Sequence, residues 1–390
     1  MKPFSFDATR LPSPHMNASH EAWRQTVRAF VDKELSPHVN AWDEEGKFPR
    51  ELYRRAASVG LLSLGYPEEY GGVREGVDTF HSLIASEELA RAGSGGLIAG
   101  LMTHSIGLPP VLALGSDALK ARIAPDVLKG LKLIALCVTE PSGGSDVANI
   151  RTRAVRDGDH YVVNGEKTYI TTGYRADYLT VAVRTGVPGA GGLSFLLIEA
   201  DSPGVTRAKL PKMGWWMSDT ASISFSDVRV PAENLIGAEN SGFAGIVANF
   251  NNERLGMAAQ AIAFSRVCIE DAAEWAMERE TFGKKLIKHQ VIRHKLSEMV
   301  RHVHASSAFL DNCAWRVMRG ETPIAELSLL KVQATRTMEF CAREAMQILG
   351  GAGFIRGQRI ERIYREVRVM AIGGGSEEIM LDLAARQMGA

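Results

Sequence analysis

Four cysteines in 390 residues are few, and Cys137, Cys268, Cys313 and Cys341 stand too far apart for a metal-ligand spacing. No metal site is expected, nor a disulfide framework, and reduced thiols suit a cytosolic compartment. Neither charge is in excess: 45 Lys and Arg balance 45 Asp and Glu. That balance argues against a nucleic acid or a membrane surface as the main partner. No apolar run is long enough to span a bilayer. The opening MKPFSFDATRLPSPHMN lacks the apolar centre of a signal peptide, so a cytoplasmic protein is expected. Several catalytic patterns are also missing: a GxGxxG after a strand, a P-loop, HExxH and a GxSxG elbow. Gly350-Gly351-Ala352-Gly353 follows a helical pattern and is no dinucleotide fingerprint.

What is present is an ordinary globular composition, 45% hydrophobic and 23% charged, in a chain long enough for two or three domains. HEAWRQTVRAFVDKEL places Trp23, Val27, Phe30, Val31 and Leu35 on one helical face and stops at Ser36-Pro37. Helices are also expected in ELYRRAASVG and FHSLIASEELARAG. Near residue 133 the pattern changes. LIALCVTE reads as a strand, and AVRDGDHYVVNGEKTYITTG carries two turn signals, Asp157-Gly158 and Asn164-Gly165. YLTVAVRT, LSFLLIEA and ASISFSDVRV follow as strands; in the last, Ile223 and Phe225 alternate with serines. The chain then returns to helix: about 243–279, then 290–319 with Val291, Leu296, Met299, Val300 and Val303 on its apolar side. A third helix starts with Thr322 as N-cap and Pro323 in first position and runs to Leu349. The expected class is α+β, in three parts: helical residues 1–130, a compact β domain over 131–236, and helical residues 237–390.

Four segments could carry chemistry. ALCVTEPSGGSD leaves a strand for a loop that can offer the Thr139 and Ser145 hydroxyls and bare backbone amides; it could equally be a plain surface loop. EKTYITTG offers Tyr169 to stack on a flat ring and Thr171 to bond its edge, or is simply a Thr-rich strand. In ERETFGKKL, Arg279 suits a diphosphate or belongs to a solvated charged face. In NFNNERLG, Glu253 and Arg254 sit within a small and apolar segment. Glu253 is an ion-pair partner, an exposed residue, or a general base raised in pKa by burial.

Seven segments in order, VTEPSGGSD, NGEKTYITTG, MGWWMSDTASISFSDVRVP, NNERL, ERETFGKKL, MQILGGAGF and IYREVRVMAIGGGSEEIM, resemble the acyl-CoA dehydrogenase flavoproteins over nearly the whole chain. The resemblance implies an N-terminal α-helical domain, a middle antiparallel β-barrel-like domain and a C-terminal four-helix bundle. It implies FAD, an acyl-CoA substrate, electron-transferring flavoprotein as acceptor, and a homotetramer or homodimer. By the same resemblance Leu136, Val138 and Thr139 would line the flavin ring, and Ser145 would lie along the flavin and the CoA arm. Tyr169 would stand beside the ring, where the family often has Trp or Phe, and Thr171 would bond near N5. Arg279, Phe282, Gln347 and Gly351 would hold the diphosphate and adenosine across a subunit interface.

The family's reaction removes an α-proton with a carboxylate while the β-hydrogen leaves as hydride to flavin N5, giving a trans-2-enoyl-CoA. The developing enolate needs hydrogen-bond donors at the thioester oxygen. One is a backbone N–H of the loop that matches Ile372–Met380. Medium- and short-chain members carry the catalytic Glu in that loop, in a pattern like Y-E-G-T. Here Gly374 stands at that place and Ser376 replaces the Thr, a cofactor-loop position, while Glu377 and Glu378 lie beyond it. Isovaleryl-CoA and long-chain members keep the base on a facing helix, in E-R-L, and this chain has Glu253-Arg254-Leu255 there. Glu253 is therefore the expected base and Gly374 the backbone donor. Gly373 and Gly375 are expected to shape the substrate site, and Arg254 either supports the helix and CoA geometry there or is a structural ion-pair partner. Gly373, Gly374 and Gly256 would leave room for a branched or medium-to-long acyl group unless Met257, Leu101 or Met102 refills it. The alternatives are a monooxygenase or nitroalkane-type oxidase of the same fold, or a catalytically silent binding protein.

Overall fold

The structure, a computed structural model, describes residues 2–390, apart from the side chains of residue 244 and residues 246–252. The first four residues of the NFNNERLG segment fall on that stretch, so those side chains lie outside the described residues. Chain packing groups the molecule into two compact units. One holds residues 2–41, 78–95 and 251–390; the other holds 42–77 and 96–250.

Eight helices come first: α1 (Ala18–Phe30), α2 (Val39–Glu45), α3 (Glu51–Ser58), α4 (Thr79–Ala90), α5 (Gly95–Leu101), α6 (His104–Gly107), α7 (Pro109–Leu114) and α8 (Asp117–Leu128). The last turn of α1 widens into a π-helical stretch, Val31–Leu35, so the expected single helix does reach Ser36. Asn17 and Asp78 cap α1 and α4 through capping boxes whose third helical residue is a histidine, His20 and His81. The two imidazole rings lie 4.2 Å apart with their planes tilted by 50°, and His20 Nε2 hydrogen-bonds Asp78 at 2.9 Å. His20, Asp78 and His81 thus cluster with metal-like spacing, their potential ligand atoms within 4.8 Å of one another. Yet both Nδ1 atoms already accept cap N–H groups, at 3.0 and 3.2 Å. The cluster locks two helix starts together.

The strands are β1 (Ile134–Cys137), β2 (Arg153–Asp157), β3 (His160–Ile170), β4 (Tyr178–Arg184), β5 (Leu193–Glu199), β6 (Val205–Lys209), β7 (Ala221–Pro231) and β8 (Leu235–Ile236). They form one sheet in the order β6-β7-β3-β2-β4-β5-β8, with β1 paired to β4. The expected β domain is there, but its pairing is mixed: β1 runs parallel to β4, and β2 meets β4 parallel through Arg153 and Arg184. A parallel pair needs a long return connection, which the β2–β3 hairpin supplies. In β4, Leu179, Val181 and Val183 enter one buried cluster while Ala182 enters another against α7 and α8. β5 divides likewise, Leu196 and Ile198 against Leu193, Phe195 and Leu197. Burial on both faces explains why these two strands read as continuous apolar runs.

Two local expectations fail. Asp157-Gly158 is a hairpin turn as expected, but Asn164-Gly165 lies inside β3. Gly165 is needed there for close approach: a Cβ would stand 2.6 Å from Thr152 Cα. Extra residues bulge both strands of the β3–β7 ladder, and each bulge holds a left-handed residue, Tyr169 (φ 59°) and Asp227 (φ 50°).

The remaining elements are α9 (Gly242–Glu278), β9 (Glu280–Thr281), β10 (Lys284–Lys285), α10 (Gln290–Met318), α11 (Ile324–Leu349), α12 (Arg359–Ile372) and α13 (Glu377–Gln387). α11 packs against α10, α12 and α13. On α10, Leu296, Met299 and Val303 are buried, but Val291 is exposed and Ile292 takes its place. α11 begins at Ile324, and no side chain caps it. Thr322 contributes its carbonyl to the Ile324 N–H instead of the expected hydroxyl cap. No single helix among the described residues is long and apolar enough to cross a membrane.

Candidate active site

Most residues expected around a flavin ring lie where β1 and β3 end. The Thr168 N–H donates to the Thr139 carbonyl at 2.9 Å, so the two motifs run side by side. Beneath them, Lys167 donates to the Val138 carbonyl at 3.0 Å and to Glu140 Oε1 at 2.8 Å. Both partners are inside, at 0% and 4% exposure. Glu140 also accepts the Arg151 and Thr152 N–H groups at 2.7 and 2.8 Å. Burial pulls the Lys167 ammonium down to about 8. Burial would raise the Glu140 carboxyl, but Lys167 and the N–H donors hold it below its usual range. Neither residue was expected to matter. No local pattern singles Lys167 out, since it stands between the exposed Glu166 and the buried Thr168.

Above this pair the bulge turns Tyr169 outward, 71% exposed in a left-handed backbone. Thr139, Thr171 and Leu136 are half-buried, Ser145 is exposed, and the Val138 side chain packs in the core. An exposed aromatic face, hydroxyls at half depth and a loop of open backbone form an uncharged donor set that fits a flavin ring. Thr172, next to Thr171, is spoken for internally: its N–H donates to the Ser218 carbonyl at 2.8 Å, which joins the MGWWMSD segment to the same corner.

The expected diphosphate and adenosine residues all lie on the other unit and are all exposed. Arg279 follows the end of α9, and Gln347 and Gly351 stand at the end of α11. Phe282 sits with Gly283 at the tip of the β9–β10 hairpin, both at positive φ (52° and 74°). Such a tip usually carries Asn-Gly. Here a phenyl ring is held 96% exposed in a strained backbone. Strain of this kind marks sites of function. An exposed guanidinium beside an exposed aromatic fits a nucleotide diphosphate and its base.

The expected proton-abstraction residues do meet. A Cβ built on Gly374 would stand 3.8 Å from Glu253 Oε1 and 2.7 Å from Met257 Sδ. Gly374 and Gly375 are both left-handed, at 66° and 108°. The Gly374 carbonyl accepts from Arg254 Nε at 3.2 Å, while among the described residues its N–H has no partner. Glu253 is half-buried, and the loss of water raises its pKa, opposed by the charges of Arg254 and Lys331. No hydrogen bond to a described residue occupies its carboxylate. A raised, unengaged carboxylate beside a free backbone donor can take a proton from a carbon acid and steady the resulting enolate.

The remaining loop residues are structural in this geometry. Ser376 caps α13, accepting the Ile379 N–H. Glu377 pairs with Arg336 at 2.9 Å, and Glu378 is exposed in the first turn of α13, where its own backbone N–H and Ser376 hold its pKa down. Met257 lies against Gly374, so part of the space vacated by a side chain is refilled. Gly256 has nothing within 4 Å of an added Cβ.

One residue of this region was not foreseen. Lys331, on α11, is fully buried and donates to the Gly375 carbonyl at 2.7 Å and the Ala371 carbonyl at 3.1 Å. It lies in the stripe of Leu327, Thr335 and Met338, all buried. A lysine at helical spacing within a buried stripe was the available sign.

Three family models match in chain order: the acyl-CoA dehydrogenase N-terminal domain over residues 17–131, the middle domain over 135–228 and the C-terminal domain over 240–389. The chain is 38% identical to acyl-CoA dehydrogenase AFT10-1 of Alternaria alternata, covering 95% of this chain and 91% of that one. It is 33% identical to the mitochondrial long-chain specific acyl-CoA dehydrogenase of Sus scrofa, covering 95% and 87%. The crystal structure of a probable acyl-CoA dehydrogenase from Mycobacterium abscessus superposes with a TM-score of 0.93 at 48% identity, covering 96% of this chain and 100% of that one. With three domains matched in order over helices and sheet of the expected kind, the chain belongs to the acyl-CoA dehydrogenase family, FAD-binding oxidoreductases that act on the CH–CH group of acyl-CoA.

Proposed function

We propose that this protein oxidises a fatty or branched acyl-CoA to its trans-2-enoyl-CoA, with Glu253 as the α-proton base. The observation that carries this reading is the relation of Glu253 to Gly374. The helix carboxylate points at the place where a loop carboxylate would otherwise grow, 3.8 Å from the missing Cβ. Desolvation raises the Glu253 pKa toward that of a useful base. The Gly374 N–H, without a partner among the described residues, is the donor for the thioester oxygen, and Arg254 steadies the next peptide through the Gly374 carbonyl.

FAD, when bound, supplies the acceptor for the β-hydrogen. Thr139, Tyr169, Thr171 and the Ser145 loop would hold its ring, with Leu136 and Val138 beneath. Arg279, Phe282, Gln347 and Gly351 would hold the diphosphate and adenosine of a neighbouring subunit's cofactor, which makes the working protein a homotetramer or homodimer. Electron-transferring flavoprotein is the proposed acceptor, and the cytoplasm the proposed location. Open space at Gly256 favours a substrate broader than a short straight chain.

Anaerobic addition of a panel of acyl-CoAs, read as flavin bleaching, tests the reading. Bleaching that is fastest with branched or medium-to-long chains is expected. No bleaching with any thioester would favour the silent binding protein, and NAD(P)H-dependent oxygen consumption would favour a monooxygenase.

A further inference from the structure

We infer that Lys331 is a positioning residue for the reaction: its ammonium clamps the glycine loop and sets the charge balance around the base. This rests on the assignment of Glu253 and concerns the same site.

The loop Gly373–Ser376 has almost no side chain with which to hold its shape. Its glycines could populate many conformations, and fixing them costs about 1–2 kcal/mol of backbone entropy per residue. Something outside the loop must therefore hold it, and three carbonyls show what does. Ala371 O, in the last turn of α12, is an orphan acceptor at the negative end of that helix. Gly374 O and Gly375 O lie in the left-handed turn. Lys331 takes the first and third, at 3.1 and 2.7 Å, and Arg254 takes the second at 3.2 Å. Two cations from two helices, α11 and α9, thus fasten the backbone on either side of the free Gly374 N–H. The Gly373–Gly374 peptide that carries this N–H is thus held from both flanks, by the tied Ala371 carbonyl and the Gly373 N–H to Val369 before it and by the tied Gly374 and Gly375 carbonyls after it, which restricts its rotation.

The same ammonium acts on the base. Lys331 and Arg254 are the two cations that favour the ionised Glu253, against its desolvation. The groups facing Lys331 are Glu253 and Arg254 from α9 and Glu377 from α13, itself paired with Arg336; α12 supplies the Ala371 carbonyl. Burial brings Lys331 down to about 8, so below that pH it carries its charge beside Glu253. Removing the charge must raise the Glu253 pKa further and move the acidic limb of activity to higher pH.

The test uses the holoenzyme with Lys331→Met, Lys331→Gln and Lys331→Arg, and Glu253→Gln as the control. The readouts are FAD content, kcat, KM and the pH profile of kcat/KM. Lys331→Met is expected to lower kcat by about tenfold or more with a smaller change in KM, as for a misplaced oxyanion donor. Lys331→Gln keeps a donor without the charge. It is expected to move the acidic limb upward by about half a pH unit or more, and it serves as the decisive variant should Lys331→Met not fold. Lys331→Arg is expected to restore the wild-type limb. An unmoved limb in Lys331→Gln, with loss of stability or FAD alone, would overturn the inference and leave Lys331 a structural lysine. Full activity in the Glu253→Gln control would instead overturn the base assignment, whatever the lysine variants do.

Discussion

Glu253 Oε1 lies 3.8 Å from the point at which Gly374 would carry a Cβ. A base anchored on the helix and a base anchored on the loop would therefore serve the same small volume, and in the function proposed above this chain uses the helix. The bare loop is then free to contribute backbone alone.

The first consequence is a conflict between stability and function at Glu253. Its pKa is raised in the folded state. Between the unfolded and folded values the native protein binds the extra proton, so stability falls as pH rises through that window. Glu253→Gln removes the buried charge. It should raise Tm at neutral pH relative to wild type, and the difference should vanish below the ordinary carboxylate pKa of about 4.3. Thermal unfolding of both proteins across pH measures this.

Gly374→Ala should be poorly tolerated for function. A non-glycine residue in the left-handed region costs about 1–2 kcal/mol, and the new methyl would stand 2.7 Å from Met257 Sδ. The Met257 side chain can move; the backbone angle cannot change without turning the free N–H. A fall in kcat of about tenfold to a hundredfold is expected. Steady-state kinetics of Gly374→Ala alone and with Met257→Ala separate the two causes, since only the contact is relieved by the second change.

Much of this site is legible in the sequence because its parts are local. Glu253-Arg254 and the glycine run are each visible as short strings, and their order with the other motifs points to the fold. What is hidden depends on partners distant in sequence. The mixed sheet follows from β1 lying beside β4, which no local pattern states. Asn164-Gly165 looks like a turn, but Thr152 crosses close behind it and the glycine serves that crossing. Thr322-Pro323 looks like a helix start, yet Pro323 takes ψ 71°, outside the helical region, and the helix waits for Ile324. Lys167 reads as an ordinary surface charge until the carbonyl and carboxylate it serves come into place, and the helical spacing that marks Lys331 as inward does not say which carbonyls it serves.

Breaking the Lys167–Glu140 pair should damage the flavin corner without touching its surface. Removing one partner leaves a buried charge uncompensated, which costs about 3–5 kcal/mol. Lys167→Met is therefore expected to lose FAD and unfold at lower denaturant concentration. Urea unfolding with the FAD-to-protein ratio checks this, and retention of both at wild-type values would contradict the role given to the pair.

Phe282 is 96% exposed, so its removal should cost the isolated fold almost nothing. If its ring covers a neighbouring subunit's cofactor, Phe282→Ser should lower FAD content and weaken the oligomer while secondary structure is unchanged. FAD content, circular dichroism and sedimentation together distinguish this from general destabilisation.

The central claim is that Glu253, and no loop glutamate, removes the proton. Its most direct measurement is the rate of anaerobic flavin bleaching by a good acyl-CoA substrate in Glu253→Gln, Glu377→Gln and Glu378→Gln, each purified with full FAD. Glu253→Gln should be slower by about 10²-fold or more, as for loss of a general base, while the other two bleach at close to the wild-type rate. Wild-type bleaching in Glu253→Gln, or its loss in Glu377→Gln or Glu378→Gln, would contradict the account.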